Sequence, residues 1–302
     1  MLHAFQRWIG VSWESGHYYH MNYDQYCLEK VKASHSNFTV SFLLLSSNKR
    51  LAINALYAFC REVDDVADEC KEYEIGKAKL DWWKAEIERL YNHNPQHPVT
   101  NALLPHIDTF NLNKEYFLEI IDGMEMDLNF NRYDSFKELQ LYCYRVASVV
   151  GILSAKIFGF ENNKTIKYAH NLGIALQLTN ILRDLGEDAR MGRIYVPLDI
   201  LKKFNITENE LLSYKKTSKM KELVDHLFAQ ALHFYKLSFD HLAPEDRRQQ
   251  KPGIIMANIY YCLLHEIRNN QPENILNIKT LLPPLRKFFI VLATIMNIRI
   301  IR

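Results

Sequence analysis

Twice in this chain a helical stripe that starts as hydrocarbon ends in two aspartates four residues apart, and few folds tolerate that. In residues 54–69 (NALYAFCREVDDVADE) the stripe runs Leu56, Cys60, Asp64, Asp68. In residues 172–197 (LGIALQLTNILRDLGEDARMGRIYVP) it runs Leu172, Leu176, Asn180, Asp184, Asp188. Residues four apart share one helix face, a turn from each other, so both stripes put acid where a helix should bury hydrocarbon. Each pair also falls late in its helix, where the macrodipole disfavours negative charge. Two carboxylates about 6 Å apart at an effective dielectric near 20 repel by roughly 3 kcal/mol. Four of them converging inside a bundle call for cations. Hard divalent ions with oxygen ligands are the natural remedy, and Mg²⁺ takes a few carboxylates together with substrate phosphates. One such pair alone reads as a solvated helix face; two on inward stripes, beside Arg61 and Arg183, point to a shared site.

The remainder of the chain agrees with a helical bundle. Apolar residues recur at helical spacing in Ile53, Leu56, Tyr57, Cys60, in Trp83, Ile87, Leu90, and in Leu223, Leu227, Ala231. Only 10 Gly and 9 Pro are spread over 302 residues, too few turn signals for an all-β sandwich. Breaks are expected at 92–98 (NHNPQHP), 111–113, 159–163, 192–197, 244–252 and at Pro283 and Pro284, all of them short connections. No repeat or change of composition divides the chain, so residues 21–302 are expected to form one domain. Residues 1–20, with Met21 as the natural start, are expected to be an extension; they carry Trp, His and Glu where a signal peptide needs an unbroken apolar run.

Several function classes drop out. With 37 basic against 35 acidic residues there is no nucleic-acid footprint. There is no Gly-rich phosphate loop and no HExxH, and the paired Glu-x-x-His motifs of a di-iron bundle are missing. The five cysteines are odd in number, lack a CxxC, and read as reduced, core-filling residues of a cytoplasmic protein. The longest apolar run, Phe288–Met296, is short of the roughly 20 residues a spanning helix requires. Its flanks Arg286, Lys287, Arg299 and Arg302 suit either a last core helix with a basic end or a segment peripheral to an anionic inner-membrane surface.

Three stretches, YAFCREVDDVADE from Tyr57, YCYRVASVVG from Tyr142 and LGIALQLTNILRDLGEDARMGRIYVP from Leu172, resemble the squalene and phytoene synthase family of head-to-head prenyltransferases, a likeness running from about Tyr23 to the C-terminus. Within it, IIDGMEMDL from Ile120, HPVTNAL from His97 and PLRK from Pro284 are most similar to bacterial presqualene diphosphate synthases of hopanoid pathways. The resemblance implies an all-α, single-domain isoprenoid synthase bundle with a central active-site cavity. It implies Mg²⁺ held by Asp64, Asp68, Asn180, Asp184 and Asp188, Arg61, Gln177 and Arg183 contacting diphosphate or orienting the metal ligands, Tyr260 and Lys287 at the other diphosphate, and Tyr57 and Tyr142 at the reaction centre. Two departures are visible: Asn37 stands before Phe38 where many relatives have Ser, and Lys279 stands at a diphosphate-binding Arg, keeping the charge but giving up the bidentate fork.

The activity so implied is condensation of two farnesyl diphosphates to presqualene diphosphate, with apolar walls excluding water and aromatic faces such as Phe38 and Tyr142 stabilising the cation. Rival expectations are a full squalene synthase using NADPH, a phytoene synthase using geranylgeranyl diphosphate, and a non-catalytic relative acting as an assembly factor. The last would be expected to lose a metal-binding aspartate, and all four are present. Downstream squalene-forming enzymes are the expected protein partners.

Overall fold

Helices occupy the stretches where apolar residues recur at helical spacing, and among the described residues there is no strand. The computed structural model describes residues 22–33, 41–42, 44–70, 72–129, 132–215 and 217–301, so the expected extension over 1–20 and the candidates Asn37 and Phe38 lie outside the described residues. The α-helices are α1 (Tyr23–Ala33), α2 (Ser47–Glu69), α3 (Tyr73–Tyr91), α4 (Pro98–Ile107), α5 (Lys114–Asn129), α6 (Phe136–Cys143), α7 (Val149–Phe158), α8 (Lys164–Arg190), α9 (Leu198–Lys203), α10 (Glu208–Leu212), α11 (Lys219–His241), α12 (Lys251–Asn269) and α13 (Pro284–Ile295). A π turn, Tyr144–Ser148, joins α6 to α7 into one continuous helix over 136–158.

Local chemistry fixes several ends. His97 Nδ1 accepts the Val99 amide at 3.2 Å, and Pro98 gives α4 a first residue that needs no donor. Thr207 and Glu210 reciprocate as a capping box at the start of α10. Asn111, Asn205 and Asn297 turn the chain out of preceding helices in left-handed conformation, with φ of 49°, 51° and 58°. Buried acids fasten two connections. Glu86, wholly inaccessible to solvent, accepts the amides of Gln96 and His97 at 2.7 and 2.8 Å and pairs with Arg89. Asp246 accepts the amides of Glu161 and Asn162 and the Thr165 hydroxyl ahead of α8.

The hydrophobic core has two parts, and the helix over 136–158 divides them. Val149, Leu153, Ile157 and Phe158 face a cluster built from α1 to α5, centred on Phe59, Trp83 and Phe117. Tyr142, Cys143, Ile152 and Ala155 face a second cluster built on α8, α11 and α12. By length and composition alone this helix could cross a membrane, but half of it is buried between the two clusters, as in a core helix. The π turn falls where the helix changes partner, and it packs against both α5 and α8.

Two glycines permit close approaches. A Cβ on Gly173 would lie 2.5 Å from Ser148 Cα, so α8 can reach the π turn only as glycine. A Cβ on Gly186 would lie 2.1 Å from the Leu276 carbonyl oxygen. The latter contact lays the segment from Asn270 to Pro283 across α8, and here the structure differs from the sequence reading. The helix over 251–269 ends well before Pro283, and the connection is long rather than short. It is held by its own short 3₁₀ turn (Pro272–Asn274) and by the burial of Ile275, Leu276 and Leu282.

Gly173→Ala should lower unfolding free energy by roughly 1–3 kcal/mol, since the added methyl meets backbone that cannot rotate away. Urea denaturation of the variant beside the parent measures this, and equal midpoints would show that α8 has room to shift.

Candidate active site

The seam between the two core clusters is where the aspartate stripes end. Leu56 is buried on α2, Cys60 and Asp64 are half-buried, and Asp68 emerges at the rim with its side chain 51% exposed. The α2 stripe is therefore inward only as far as Asp64, because the helix runs out of the core in its last turn. On α8 the stripe passes from buried Leu172 to half-buried Leu176, Asn180, Asp184 and Asp188.

Each pair has its own cation. Arg61 reaches Asp64 at 2.5 Å and Asp65 at 2.7 Å, while Lys30 from α1 takes Asp65 at 2.9 Å and Glu62 at 3.0 Å. Arg183 grips both oxygens of Asp184, at 2.8 and 2.5 Å. Lys279, delivered by the segment that crosses Gly186, reaches Asp184 at 3.0 Å and Glu187 at 2.6 Å. Tyr260 on α12 hydrogen-bonds Arg183 and lies within electrostatic reach of Tyr57 on α2. Gln177 Oε1 accepts from Asn180 Nδ2 at 3.4 Å. Lys287 sits on the half-buried flank of α13, whose packing partner is α12.

Two residues not singled out as site candidates in the sequence join the halves. Asp127, near the end of α5, accepts hydrogen bonds from Tyr142 at 2.9 Å and Tyr195 at 2.8 Å. The two phenol rings stack with centroids 5.2 Å apart, and Tyr133 leans on both. The charge of Asp127 acts on Asp64 from one stripe and on Asp188 from the other. Arg193, in the loop after α8, donates to Asp68 at 3.2 Å and to the Ala67 carbonyl at 3.2 Å, tying that loop to the end of α2. Asp127 had a sequence signal: it follows Ile120 by seven residues and Gly123 by four on the buried face of α5, again acid on an apolar stripe. Arg193 lies within the stretch from Leu172 that carries the family likeness, but nothing local pointed to its partner, 125 positions away.

The cluster carries more negative charge than its cations neutralise. Burial, then the neighbouring Asp68, pushes the Asp64 carboxyl up to about 7 despite Arg61. Burial, then Asp184, does the same to Asp188, also to about 7. Asp127 is pushed up to about 6 by burial, although both tyrosines stabilise its ionised form. For Asp184 burial also pushes upward, but the Arg183 and Lys279 contacts outweigh it and hold the carboxyl below its ordinary value. Asn180 Oδ1 is buried with no hydrogen-bond donor among the described residues. A buried orphan acceptor beside carboxylates that hold protons near neutrality is a donor set that suits a hard cation. Among the described residues no three acidic, histidine or cysteine side chains form a complete metal cage, so oxygens from another molecule would have to finish the coordination. The donors on hand would be Asp64 and Asp68 on one side, and Asn180, Asp184 and Asp188 on the other.

Comparison with known proteins gives a consistent result. The model of the squalene/phytoene synthase family matches residues 31–286. A phytoene synthase of Arthrospira platensis is 37% identical over 263 residues, covering 83% of this chain and 85% of its own. A presqualene diphosphate synthase of Rhodopseudomonas palustris is 39% identical over 230 residues, covering 76% and 82%. Among solved structures, a dehydrosqualene synthase complex superposes with a TM-score of 0.81 at 27% identity, covering 91% of this chain and 96% of its own. A squalene synthase of Alicyclobacillus acidocaldarius gives 0.75 at 28%, covering 83% and 95%. The all-α isoprenoid synthase fold is thereby established.

A carboxyl whose value in the fold lies above its value in the unfolded chain keeps its proton longer in the native state, so its ionisation costs native stability as pH rises from about 4 to about 7 and the loss then levels off. Asp64→Asn should therefore be more stable than the parent at about pH 8, by roughly 1 kcal/mol once solvent screening of a side chain 36% exposed is allowed for, with the difference vanishing towards pH 4. Urea unfolding at both pH values checks this; a variant less stable than the parent at pH 8 would mean that the Arg61 pair outweighs the repulsion.

Proposed function

The chain belongs to the squalene/phytoene synthase family, a group of head-to-head prenyl diphosphate synthases, and on that premise we propose that it condenses two farnesyl diphosphates to presqualene diphosphate. The observation that carries the reading is the convergence of both aspartate pairs on Asp127 and Arg193, beside the unpartnered oxygen of Asn180. Such a site is short of positive charge and built of oxygen donors, which suits a diphosphate arriving with Mg²⁺.

Asp64, Asp68, Asn180, Asp184 and Asp188 would hold the metal, and Mg²⁺ bound there would offset charge developing on the departing diphosphate oxygens. The protein's own groups do the rest. Arg61, Arg183 and Lys279 pair with carboxylates in the free site and can exchange them for diphosphate oxygens, the two arginines bidentately. Tyr260 keeps the Arg183 guanidinium aimed. Gln177 orients Asn180. Lys287 and Lys279 supply charge for the second diphosphate, and the family resemblance assigns substrate contacts to Asn37 and Phe38 as well.

In the reaction the first farnesyl diphosphate loses diphosphate to leave an allylic cation. The double bond adjoining the second diphosphate attacks it, and loss of one proton closes a cyclopropane. Two substrates thus give one presqualene diphosphate, one diphosphate and one proton. Tyr142 and Tyr57 present aromatic faces to the cation, an attraction worth about 0.5–2 kcal/mol. Released diphosphate can take the proton. Tyr142 can serve instead only if its own proton passes to Asp127 along the 2.9 Å hydrogen bond. Packing of the reaction centre between two apolar clusters keeps water from quenching the cation.

A second reading has an observation of its own: the 37% identity to a phytoene synthase favours two geranylgeranyl diphosphates as substrates. Incubation with each prenyl diphosphate, with and without NADPH, followed by mass spectrometry, separates the products. Presqualene diphosphate from farnesyl diphosphate without reductant is expected. Phytoene from the longer substrate would favour the second reading, squalene appearing only with NADPH would extend the first, and no product from either substrate would favour a non-catalytic assembly factor. Asp64→Ala and Asp184→Ala should each lower kcat by about 10²-fold or more, and chelation should abolish turnover. Undiminished turnover in either variant would sink the metal assignment.

A further inference from the structure

Lys279 is a charge without a scaffold of its own. It stands in the irregular stretch between the 3₁₀ turn Pro272–Asn274 and α13, where no helix fixes its Cα. Its ammonium is shared between Asp184 at 3.0 Å and Glu187 at 2.6 Å, and a flexible lysine stem does not by itself choose between these carboxylates and solvent. The reach of the ammonium is therefore set by whatever holds the backbone on either side. Beyond it, Thr280 and Leu282 are buried. Before it, the anchor is the Leu276 carbonyl, which packs so closely on α8 that a Cβ at Gly186 would lie 2.1 Å from its oxygen.

That carbonyl accepts a hydrogen bond from Arg190 Nη2 at 3.2 Å. Arg190 is the last residue of α8 and follows Gly186 by one helical turn, so the glycine gap and the donor share a face. A basic residue in a last turn ordinarily serves its own helix, offsetting the final carbonyls and the dipole. The Arg190 guanidinium donates to a segment 86 positions away, and its Cζ lies 5.2 Å from the centroid of the Tyr214 ring, two residues past α10. The Tyr214 carbonyl in turn accepts from Asn277 Nδ2 at 3.4 Å. Arg190, Tyr214, Leu276 and Asn277 thus close a clasp between the end of α8, the turn after α10 and the crossing segment. Three positions separate Leu276 from Lys279, about 10 Å of extended chain, so slack at the clasp becomes displacement of the ammonium. A misplacement of about 1 Å is enough to forfeit much of what a positioned group contributes.

We propose that Arg190 is a positioning residue for substrate binding: through the Leu276 carbonyl it fixes the reach of Lys279 towards the second diphosphate, an assignment that rests on the prenyl diphosphate reading of the site. The second diphosphate stays bonded to carbon throughout the condensation, so Lys279 grips it equally in the ground and transition states, and loosening that grip shows in KM rather than kcat. Arg190→Met should raise KM for the prenyl diphosphate that is turned over by roughly fivefold and leave kcat within about twofold, and Arg190→Lys, which keeps a donor, should restore most of the loss. In a Lys279→Met background Arg190→Met should change KM no further. An effect of undiminished size in that background would mean that Arg190 acts by its own charge or by supporting the fold, and overturns the proposal. Asn277→Ala, at an exposed side chain, opens the other half of the clasp and should raise KM in the same direction, which keeps the test decisive should Arg190→Met fail to fold. Labelling of the ligand-free protein with an amine-reactive reagent, read at Lys279 by mass spectrometry, needs no turnover: the rate should rise about threefold or more in Arg190→Met and Asn277→Ala as the ammonium leaves its carboxylates. Parental labelling rates in both variants overturn the proposal. Failure to turn over either farnesyl or geranylgeranyl diphosphate would sink the functional reading instead, and the labelling rates would then decide by themselves whether Arg190 places Lys279.

Discussion

Negative charge gathered at a seam between two hydrocarbon clusters is the constraint around which this protein is arranged. Asp64, Asp68, Asp127, Asp184 and Asp188 reach the seam from three helices, and half-buried negative charge gathered so closely is costly unless other groups offset it. Arg61 holds Asp64, Arg183 and Lys279 hold Asp184, Arg193 holds Asp68, and a pair of stacked tyrosines holds Asp127, while Asp188 feels Arg193 only through its charge. The clamps leave the cluster under-neutralised, with Asp64 and Asp188 retaining protons near neutrality. An excess of this kind disfavours the free protein and favours any ligand that arrives with cations. Stability given up at the site reappears as binding energy.

The framework explains how so polar a seam can persist. The helix over 136–158 supplies buried side chains to both clusters from different faces, and its π turn re-aims the chain where it changes partner. Gly173 lets α8 come against that turn, and Gly186 lets the Leu276 segment lie across α8 and carry Lys279 to Asp184. Each close approach fixes a charged group that would otherwise sample many rotamers. Preorganisation of the cations is thus a product of backbone packing.

The C-terminal helix belongs to a different economy of surface. Its buried side is small and its outer side is apolar, the reverse of what a core helix needs.

Helical periodicity, the two inward aspartate stripes and the adjoining arginines are local patterns, so the bundle, Asp64, Asp184 and their partners Arg61 and Arg183 could be read directly from the chain. The same patterns gave Asp68 as inward, whereas α2 leaves the core one turn earlier and places it at the rim with Arg193. Spacing defines a face but not how deep the helix is buried at each turn. Asp127 was legible in principle, as another carboxylate on an apolar stripe, but its importance comes from lying between Asp64 and Asp188, and that relation has no footprint in local sequence. Arg193, the tyrosine clamp and the passage of Lys279 over Gly186 depend on residues scores of positions apart meeting in space, and only the tertiary packing decides which of them meet. The sequence determined which side chains can carry the charge; the packing of two cores about one helix decided where that charge converges, because burial and Coulomb energy depend on distance through space rather than along the chain.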